Sequence, residues 1–163
     1  EAWIKPSPPD KQLAQAGVLG WDHGPGNIVG GKRMICIRQA NPQEVYFWGH
    51  SQDLKGGNAV EWKANEWQHA VITVTKDDLV TIYSNGEFGQ EGVKALVDLT
   101  DNNSIVVGRR LHHGQTFNGA IDEARIYEKA LSPDEVKQNF AATIGLAVNP
   151  ANNLATTWGE IKK

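Results

Sequence analysis

The chain has 163 residues, 40% hydrophobic and 21% charged, with a net charge of −3 and an isoelectric point near 5.9. This length and composition predict one globular domain with a hydrophobic core, and the scattered lysines and arginines exclude the extended basic surface that nucleic acid requires. Because no apolar run approaches the ~20 residues needed to cross a bilayer, we expect no membrane span.

Short runs of alternating side chains, separated by turn residues, extend along most of the chain. This pattern is typical of an all-β protein in which two antiparallel sheets pack as a sandwich. The dipeptide Asn85-Gly86 predicts a tight turn between two of the strands. We predict strands near residues 2–5, 16–21, 33–38, 44–48, 58–62, 67–75, 79–84, 104–108 and 119–127.

The single cysteine, Cys36, lies in the predicted strand 33–38, on the face opposite Ile35 and Ile37. It has no second cysteine with which to form an intrachain disulfide. Since nothing nearby in the sequence supplies a base, we expect a small buried residue rather than a nucleophile.

One short helix is predicted near the end of the chain, beginning at Ser132. Pro133 suits the first helical position, and Glu135 follows the serine by three residues, which completes a capping box. Leu131, Val136 and Phe140 fall near one stripe, so we expect the helix to dock on the sandwich and close one end of its core.

The order of the motifs from Trp67 to Phe140 resembles that of a known family. The motifs are the hairpin strands 67–75 and 79–84, Ile105-Val106-Val107-Gly108-Arg109, Phe117-Asn118-Gly119-Ala120-Ile121-Asp122-Glu123, and the capped helix. This order resembles the laminin-G-like jelly-roll family, in the branch close to pentraxins and to concanavalin A-like lectins and glucanases. The resemblance implies a jelly-roll domain over residues 1–142, followed by a C-terminal tail, 143–163, that packs on the domain.

The resemblance also implies further strands ahead of Glu1-Ala2-Trp3-Ile4-Lys5-Pro6, which would pair beside the last ones. Since the present sequence opens inside this strand, we expect exposed sheet edges and unfilled core positions. Our hypothesis is that the complementing N-terminal strands come from a separate peptide, a symmetry mate or an N-terminal portion of the same protein.

Six tryptophans raise the question of sugar binding. Trp3, Trp62 and Trp67 begin or flank strands, so we expect them to fill the space between the sheets. Trp21 and Trp48 are instead followed by loop residues that include a histidine.

An aromatic ring at the rim of a sandwich, beside polar donors, suits the apolar face and hydroxyl groups of a sugar. We therefore predict that Trp21, His23, Trp48 and His50 are ligand-binding residues. The alternative, in which these tryptophans are buried for packing alone, stays open.

The segment Arg109-Arg110-Leu111-His112-His113 predicts an exposed loop at one end of the sandwich. Adjacent histidines point to opposite sides of an extended chain and no cysteine or carboxylate stands at a ligand spacing, so a transition-metal site is not favoured. We predict instead that Arg110 and His112 help to bind an acidic or hydroxylated ligand.

A structural calcium ion is implied by the family resemblance. In that family the aspartate of the Gly-x-Ile-Asp-Glu turn is a side-chain ligand, which here is Asp122. Carboxylate and carbonyl oxygens suit this hard cation. The alternative is that Asp122 binds a neighbouring loop through hydrogen bonds without metal.

No enzyme is predicted. Retaining jelly-roll glycoside hydrolases carry Glu-x-Asp-x-x-Glu on one strand, so that three carboxylates share a face. Here Asp122-Glu123 and Glu128 are the nearest match, and Ala120 stands where the nucleophile would be.

Two functions of different classes remain. The first is a non-catalytic binding module, carbohydrate-binding or adhesive, of an extracellular or cell-surface protein. The second is a structural or interaction domain that binds a complementing peptide strand. The partner is accordingly a glycan or a protein, and a glycoside hydrolase ranks below both functions.

Overall fold

The computed structural model describes residues 1–22, 33–39, 43–49, 51–96, 98–99, 104–111 and 114–145, with side chains described as far as residue 142. Nine strands and one α-helix are formed by these residues. They are β1 (Ala2–Pro6), β2 (Gln15–Asp22), β3 (Arg33–Arg38), β4 (Glu44–Trp48), β5 (Gln68–Val74), β6 (Leu79–Ser84), β7 (Glu87–Val93), β8 (Ser104–Val107), β9 (Gly119–Asp122) and α1 (Pro133–Gly145).

The strands form two antiparallel sheets that pack face to face. The five-stranded sheet has the order β7-β6-β5-β1-β9, and the four-stranded sheet has the order β4-β3-β2-β8. Since side chains alternate along a strand, one face of each sheet contributes to a shared core. This confirms the predicted all-β sandwich, whose core contains Ala2, Ile4, Val18, Leu19, Ile35, Ile37, Val45, Phe47, Leu54, Trp62, Ala70, Val80 and Ile82.

Most predicted strands form, with three differences. Residues 58–62 form no strand, and Trp62 makes only an isolated bridge to Gln43. The last strand ends at Asp122 instead of continuing to 127. The sequence analysis missed β7, because its glycines weaken a strand signal; Gly89 is required there, since a Cβ would lie 1.8 Å from the Gly57 carbonyl oxygen.

One of the three tryptophans predicted to fill the space between the sheets does so: Trp62 is 3% exposed and belongs to the core, and its indole donates to the Ser84 hydroxyl. Trp3 is also buried, but on the outer face of β1, opposite the core residues Ala2 and Ile4. The prediction for Trp67 was wrong, since 45% of this residue is exposed. It precedes β5 on the outer side of the sandwich, where it packs against no second sheet. Cys36 is fully buried as predicted, and burial raises the pKa of its thiol.

The helix covers the outer face of the five-stranded sheet. Ser132 and Glu135 form the predicted capping box, in which each backbone N–H donates to the other residue's side chain. Val136 packs with Val71 of β5, and the Phe140 ring stacks on Trp3 at 5.6 Å between centroids. The helix therefore docks on the sandwich as predicted, but it covers an outer face and does not close an end of the core.

A buried carboxylate joins the first strand to the helix. The Glu1 side chain is fully buried, and it accepts hydrogen bonds from Arg125 at 3.0 Å, Tyr127 at 3.0 Å and Asn139 at 2.7 Å. His69 Nε2 lies 3.5 Å from the same group. A buried charge needs such partners, because an unpaired one would cost several kcal/mol of unfolding free energy.

Among the residues that the structure describes, no helix is both long and apolar enough to cross a membrane.

The Glu1 carboxylate predicts a loss of stability in acid. Burial alone would raise its pKa, but the hydrogen bonds from His69, Asn139 and Tyr127 outweigh burial and lower it to about 2. A depressed pKa contributes stability that is present above the unfolded value near 4.3 and is lost as the pH falls toward 2. We expect Glu1→Gln to remove roughly 3 kcal/mol of this pH-dependent stability, measured by urea unfolding between pH 5 and pH 2.

The matched control is Glu61→Gln, which changes an exposed glutamate. It should leave the acid profile of the wild type unchanged. Parallel stability profiles for wild type and Glu1→Gln would contradict the assigned role of this carboxylate.

Candidate functional site

The outer face of the four-stranded sheet is covered by a cluster of buried side chains. In β3 and β4, Met34 pairs with Trp48 and Cys36 pairs with Tyr46, so these four side chains share the face opposite the core. All four are at most 4% exposed. Together with Val106 they form what we call the platform, and Leu111 packs against this cluster.

Arg110 lies on this platform and is itself buried, with 1% of the residue exposed. The centre of its guanidinium lies 3.6 Å from the Trp48 ring centroid, which is a cation–π contact removed from water. It also donates to the side-chain oxygens of Gln15 and Gln115. The cation is thereby held between one aromatic face and two amide acceptors.

Two carboxylates fix the chain around the platform. Asp22 is fully buried, and its Oδ2 accepts the Leu111 N–H at 2.7 Å. Asp53 Oδ1 accepts the Gly49 N–H at 3.1 Å. Asp22, Asp53 and Arg110 all lie close enough to Cys36 to influence the ionisation of its thiol. One positive and two negative side chains are therefore grouped around Cys36 on the platform.

A glycine lets the Arg110 segment approach the sheet. A Cβ on Gly17 would lie 2.7 Å from the Arg109 carbonyl carbon and 2.8 Å from the Arg110 Cγ. Real Cβ atoms essentially never come this close, so a side chain at this position would displace the segment. The absence of a side chain at Gly17 therefore allows the Arg109-Arg110 backbone to pack on the sheet.

The predicted ligand residues fall into three groups. Trp48 and Arg110 are brought together, but both are buried and contact each other, so neither lies on an exposed rim as predicted. Trp21 is half-buried and lines a cavity between the sheets. His23, His50 and His112 lie outside the described residues, and their ligand roles stay predictions, as do those of Trp21, Trp48 and Arg110.

A cavity of about 250 Å³ lies between the sheets at one end of the sandwich. Its lining includes Leu19, Trp21 and Ile35 from the four-stranded sheet and Ile72 to Val74 from the five-stranded sheet. Strand β1 pairs with β5 only from Ala70 to Gln68. Residues 72–74 of β5 consequently extend beyond β1, beside this cavity.

The face of β8 that carries Ile105 and Val107 is also uncovered. Ile105 is paired with Trp21 and Val107 with Leu19, so both side chains point to the same face as the core residue Leu19. They are nevertheless 59% and 53% exposed. Apolar residues on the core-facing side of an edge strand mark a place that a further strand could cover.

A second, polar cavity of about 520 Å³ lies at the opposite edge of the sandwich, beside β7. It is lined by Ser51, Asp53, Leu54, Lys55, Gln90 and Lys94. It joins the platform through Asp53, which also binds the Gly49 backbone.

Asp122, the predicted calcium ligand, is exposed at the end of β9. Its Oδ1 accepts the Glu123 N–H at 2.8 Å, and the Glu123 carboxylate pairs with Arg125. In the described part of the chain no group of three or more His, Cys, Asp or Glu residues could hold a metal ion. Calcium takes six to eight oxygen ligands, backbone carbonyls included, and its binding at Asp122 stays a prediction.

Sequence reasoning singled out Arg110 but missed the polar residues that hold the platform in place. Asp22 directly follows Trp21, but nothing in the sequence indicates that it bonds to Leu111, which is 89 positions away. Gln15 and Gln115 carry no motif at all. The one available signal was the position of Asp22 at the end of a predicted strand, where a polar side chain often anchors a loop.

Removing Arg110 should destabilise the domain. Arg110→Ala would leave the acceptors of Gln15 and Gln115 without their donor and open a cavity over Trp48, so we expect a loss of about 3 kcal/mol of unfolding free energy. Arg109→Ala is the matched control, because Arg109 is exposed and its loss should cost at most about 0.5 kcal/mol. Urea unfolding measures both, and equal losses would contradict the role of Arg110.

Comparison with known proteins gives relatives with adhesion and carbohydrate-binding names. The chain is 31% identical to the human adhesion G-protein coupled receptor D1 over 98 residues, and 23% identical to the Bos taurus receptor of that name over 133 residues. These matches cover 54% and 74% of this chain, but only 11% and 13% of the receptors. The chain thus spans about a tenth of the length of these relatives.

Two solved structures share the fold. Domain 4 of AbnA, a GH43 extracellular arabinanase from Geobacillus stearothermophilus in complex with arabinotriose, matches with a TM-score of 0.60 and 24% identity, over 84% of this chain and 63% of that one. A proposed carbohydrate binding protein from Bacteroides ovatus matches with a TM-score of 0.63 and 21% identity, over 93% of this chain and 41% of that one.

The family resemblance is confirmed by a match of residues 1–137 to the Laminin_G_3 family model. With this match spanning most of the chain, and with the two-sheet sandwich described above, the protein belongs to the concanavalin A-like lectin/glucanases superfamily.

Proposed function

We propose that this chain is a non-catalytic carbohydrate-binding module of an extracellular protein, with its ligand held by loops that leave the platform. The observation that carries the proposal is the place where three distant segments meet. Asp22, Gly49 and Leu111 directly precede His23, His50 and His112 in the sequence. All three are fixed by hydrogen bonds at or beside the Trp48–Arg110 contact.

The platform is more polar than packing alone requires. Asp22 and Arg110 are buried on an outer sheet face, where apolar side chains would cover the sheet at lower cost. Their bonds hold the ends of the loops in fixed positions. A rigid scaffold that positions loops is a common way to build a binding site, because it lowers the entropy lost when the ligand binds.

Residue roles follow from burial. Trp48 and Arg110 support the site from below, since each is at most 4% exposed. His23, His50 and His112 supply hydrogen-bonding groups for sugar hydroxyls, and the polar cavity beside Asp53 and Lys55 extends the surface. Asp122 and a calcium ion are a separate part of the proposal, which rests on the family alone.

The relatives support the ligand class and the location. One structural neighbour is a domain of an extracellular arabinanase in complex with arabinotriose, and another is a proposed carbohydrate binding protein. The matched receptors are named for adhesion. The missing carboxylate at Ala120 is the reason to propose binding without hydrolysis.

Titration calorimetry with arabinotriose, and with xylose, mannose and glucose oligosaccharides, tests the carbohydrate proposal. Each titration is run with calcium and with EDTA. We expect one oligosaccharide class to bind, and His112→Ala to weaken that binding about tenfold, the value of one lost hydrogen bond to a sugar hydroxyl.

Lys76→Ala serves as the control, because Lys76 is exposed in the β5–β6 turn of the other sheet. It should bind like the wild type. A folded chain that binds no oligosaccharide, or one whose binding is equally weak in both variants, would reject the proposal.

A second candidate function, binding of a complementing peptide strand, is favoured by a different observation. Residues 72–74 of β5 extend past β1 beside the cavity between the sheets, and Ile105 and Val107 are exposed on a core-facing side. An extended segment could pair with such an edge through its backbone and place alternate side chains in the cavity. The partner would be a protein or peptide rather than a glycan.

Selection of binders from a library of random peptides displayed on phage tests this second function. We expect selected peptides to alternate apolar and polar residues, and Ile126→Arg at the rim of the cavity to reduce their binding at least about tenfold. Leu13→Arg is the control, since Leu13 is similarly exposed but does not line the cavity. Peptides that bind both variants equally would place the interaction elsewhere.

A further inference from the structure

Trp67 is a large apolar side chain on the outer face of the five-stranded sheet that the described helix leaves partly exposed. Along β5 and the residue before it, Val71, His69 and Trp67 point to the same face, because they alternate by two positions. Val71 is 1% exposed and His69 is fully buried, whereas Trp67 is 45% exposed. The cover over this face thus ends between His69 and Trp67.

Successive turns of helix α1 lie over successive outward-facing residues of β5. Val136 packs with Val71, and Phe140, one helical turn later, lies 5.8 Å from the His69 ring between centroids. Four helical residues rise about 6 Å, and two strand residues rise about 6.6 Å. Continued by one more turn, the helix backbone reaches the level of Trp67.

The backbone around Trp67 is held in place. The Asn65 N–H donates to the Pro6 carbonyl at 2.8 Å, which keeps the approach to β5 alongside β1. Since Ile4 pairs with Gln68, the register places Lys5 opposite Trp67. The uncovered surface, which we call the Trp67 face, therefore consists of a tryptophan ring and the aliphatic part of a lysine on a fixed backbone.

The chain continues from the helix directly at this position. Helix α1 ends at Gly145, near the level of Trp67. Residues 146–163 follow, and they include five large apolar side chains, Leu146, Val148, Leu154, Trp158 and Ile161. Pro150 disfavours a continued helix through this segment, because it lacks a backbone N–H and restricts the residue before it.

We propose that the segment 146–158 of this chain folds back on the Trp67 face and covers Trp67 and the Lys5 stem. The occupant is this segment because the helix ends at the edge of the uncovered surface, and because its apolar residues match a face made of a tryptophan ring and a lysine stem. The proposal does not depend on carbohydrate binding or on strand complementation.

Hydrogen exchange read by mass spectrometry on the full 163-residue chain tests this proposal. We expect the amides of 146–158 to exchange at least about tenfold more slowly than an unstructured peptide of the same sequence. Trp67→Ser should remove that protection, and Trp67→Phe should retain most of it. Val93→Ser is the control, because Val93 is 73% exposed on the distant edge strand β7.

A second variant approaches the contact from the other side. Leu154→Ser should accelerate exchange in the segment as Trp67→Ser does, so the test remains decisive even if a change at Trp67 unfolds the domain. Unprotected amides in the wild type, or equal protection in wild type, Trp67→Ser and Leu154→Ser, would overturn the proposal. So would protection that rises with protein concentration, which would identify a second copy as the occupant.

Discussion

The central strands of the two sheets are buried on both faces, and this constraint organises the rest of the molecule. In β3, Ile35 and Ile37 point into the core while Met34 and Cys36 point outward, yet all four are at most 5% exposed. A strand of this kind needs a cover on each side, because an exposed apolar face would be open to association. The five-stranded sheet receives its cover from the helix, and the four-stranded sheet from the Arg110 segment.

The two covers use different chemistry. The helix covers its sheet with aromatic and aliphatic side chains, Phe140 on Trp3 and Val136 on Val71. The Arg110 segment covers its sheet with a cation, two amides and a backbone hydrogen bond to Asp22. Apolar contacts tolerate small shifts, whereas hydrogen bonds fix distances and directions. The polar cover is thus the better support for a binding surface, and this difference is why we place the ligand there.

The sequence predicted the parts of this fold that depend on local chemistry. The alternation in residues 33–38, the Asn85-Gly86 turn and the Ser132 capping box each act over a few residues, and each forms as predicted. The site depends on longer-range contacts. Arg110 meets Gln15 across 95 positions, and its stacking on Trp48 turns two predicted surface residues into buried ones. The prediction for Trp67 was wrong for a related reason, since no local signal distinguishes an outward-facing tryptophan from a core one.

Gly17 sets how closely the Arg109-Arg110 backbone approaches the platform, although it is not among the proposed ligand-binding residues. The segment above it approaches so closely that even a methyl group would raise the Arg109 and Arg110 backbone. Lifting this backbone would tilt the guanidinium away from the indole and lengthen the bond from Leu111 to Asp22, while the helix on the opposite sheet would keep its packing. Related chains could therefore change the pose of their recognition loops through one small residue on a neighbouring strand, and so diversify what they bind while preserving the sandwich that carries it.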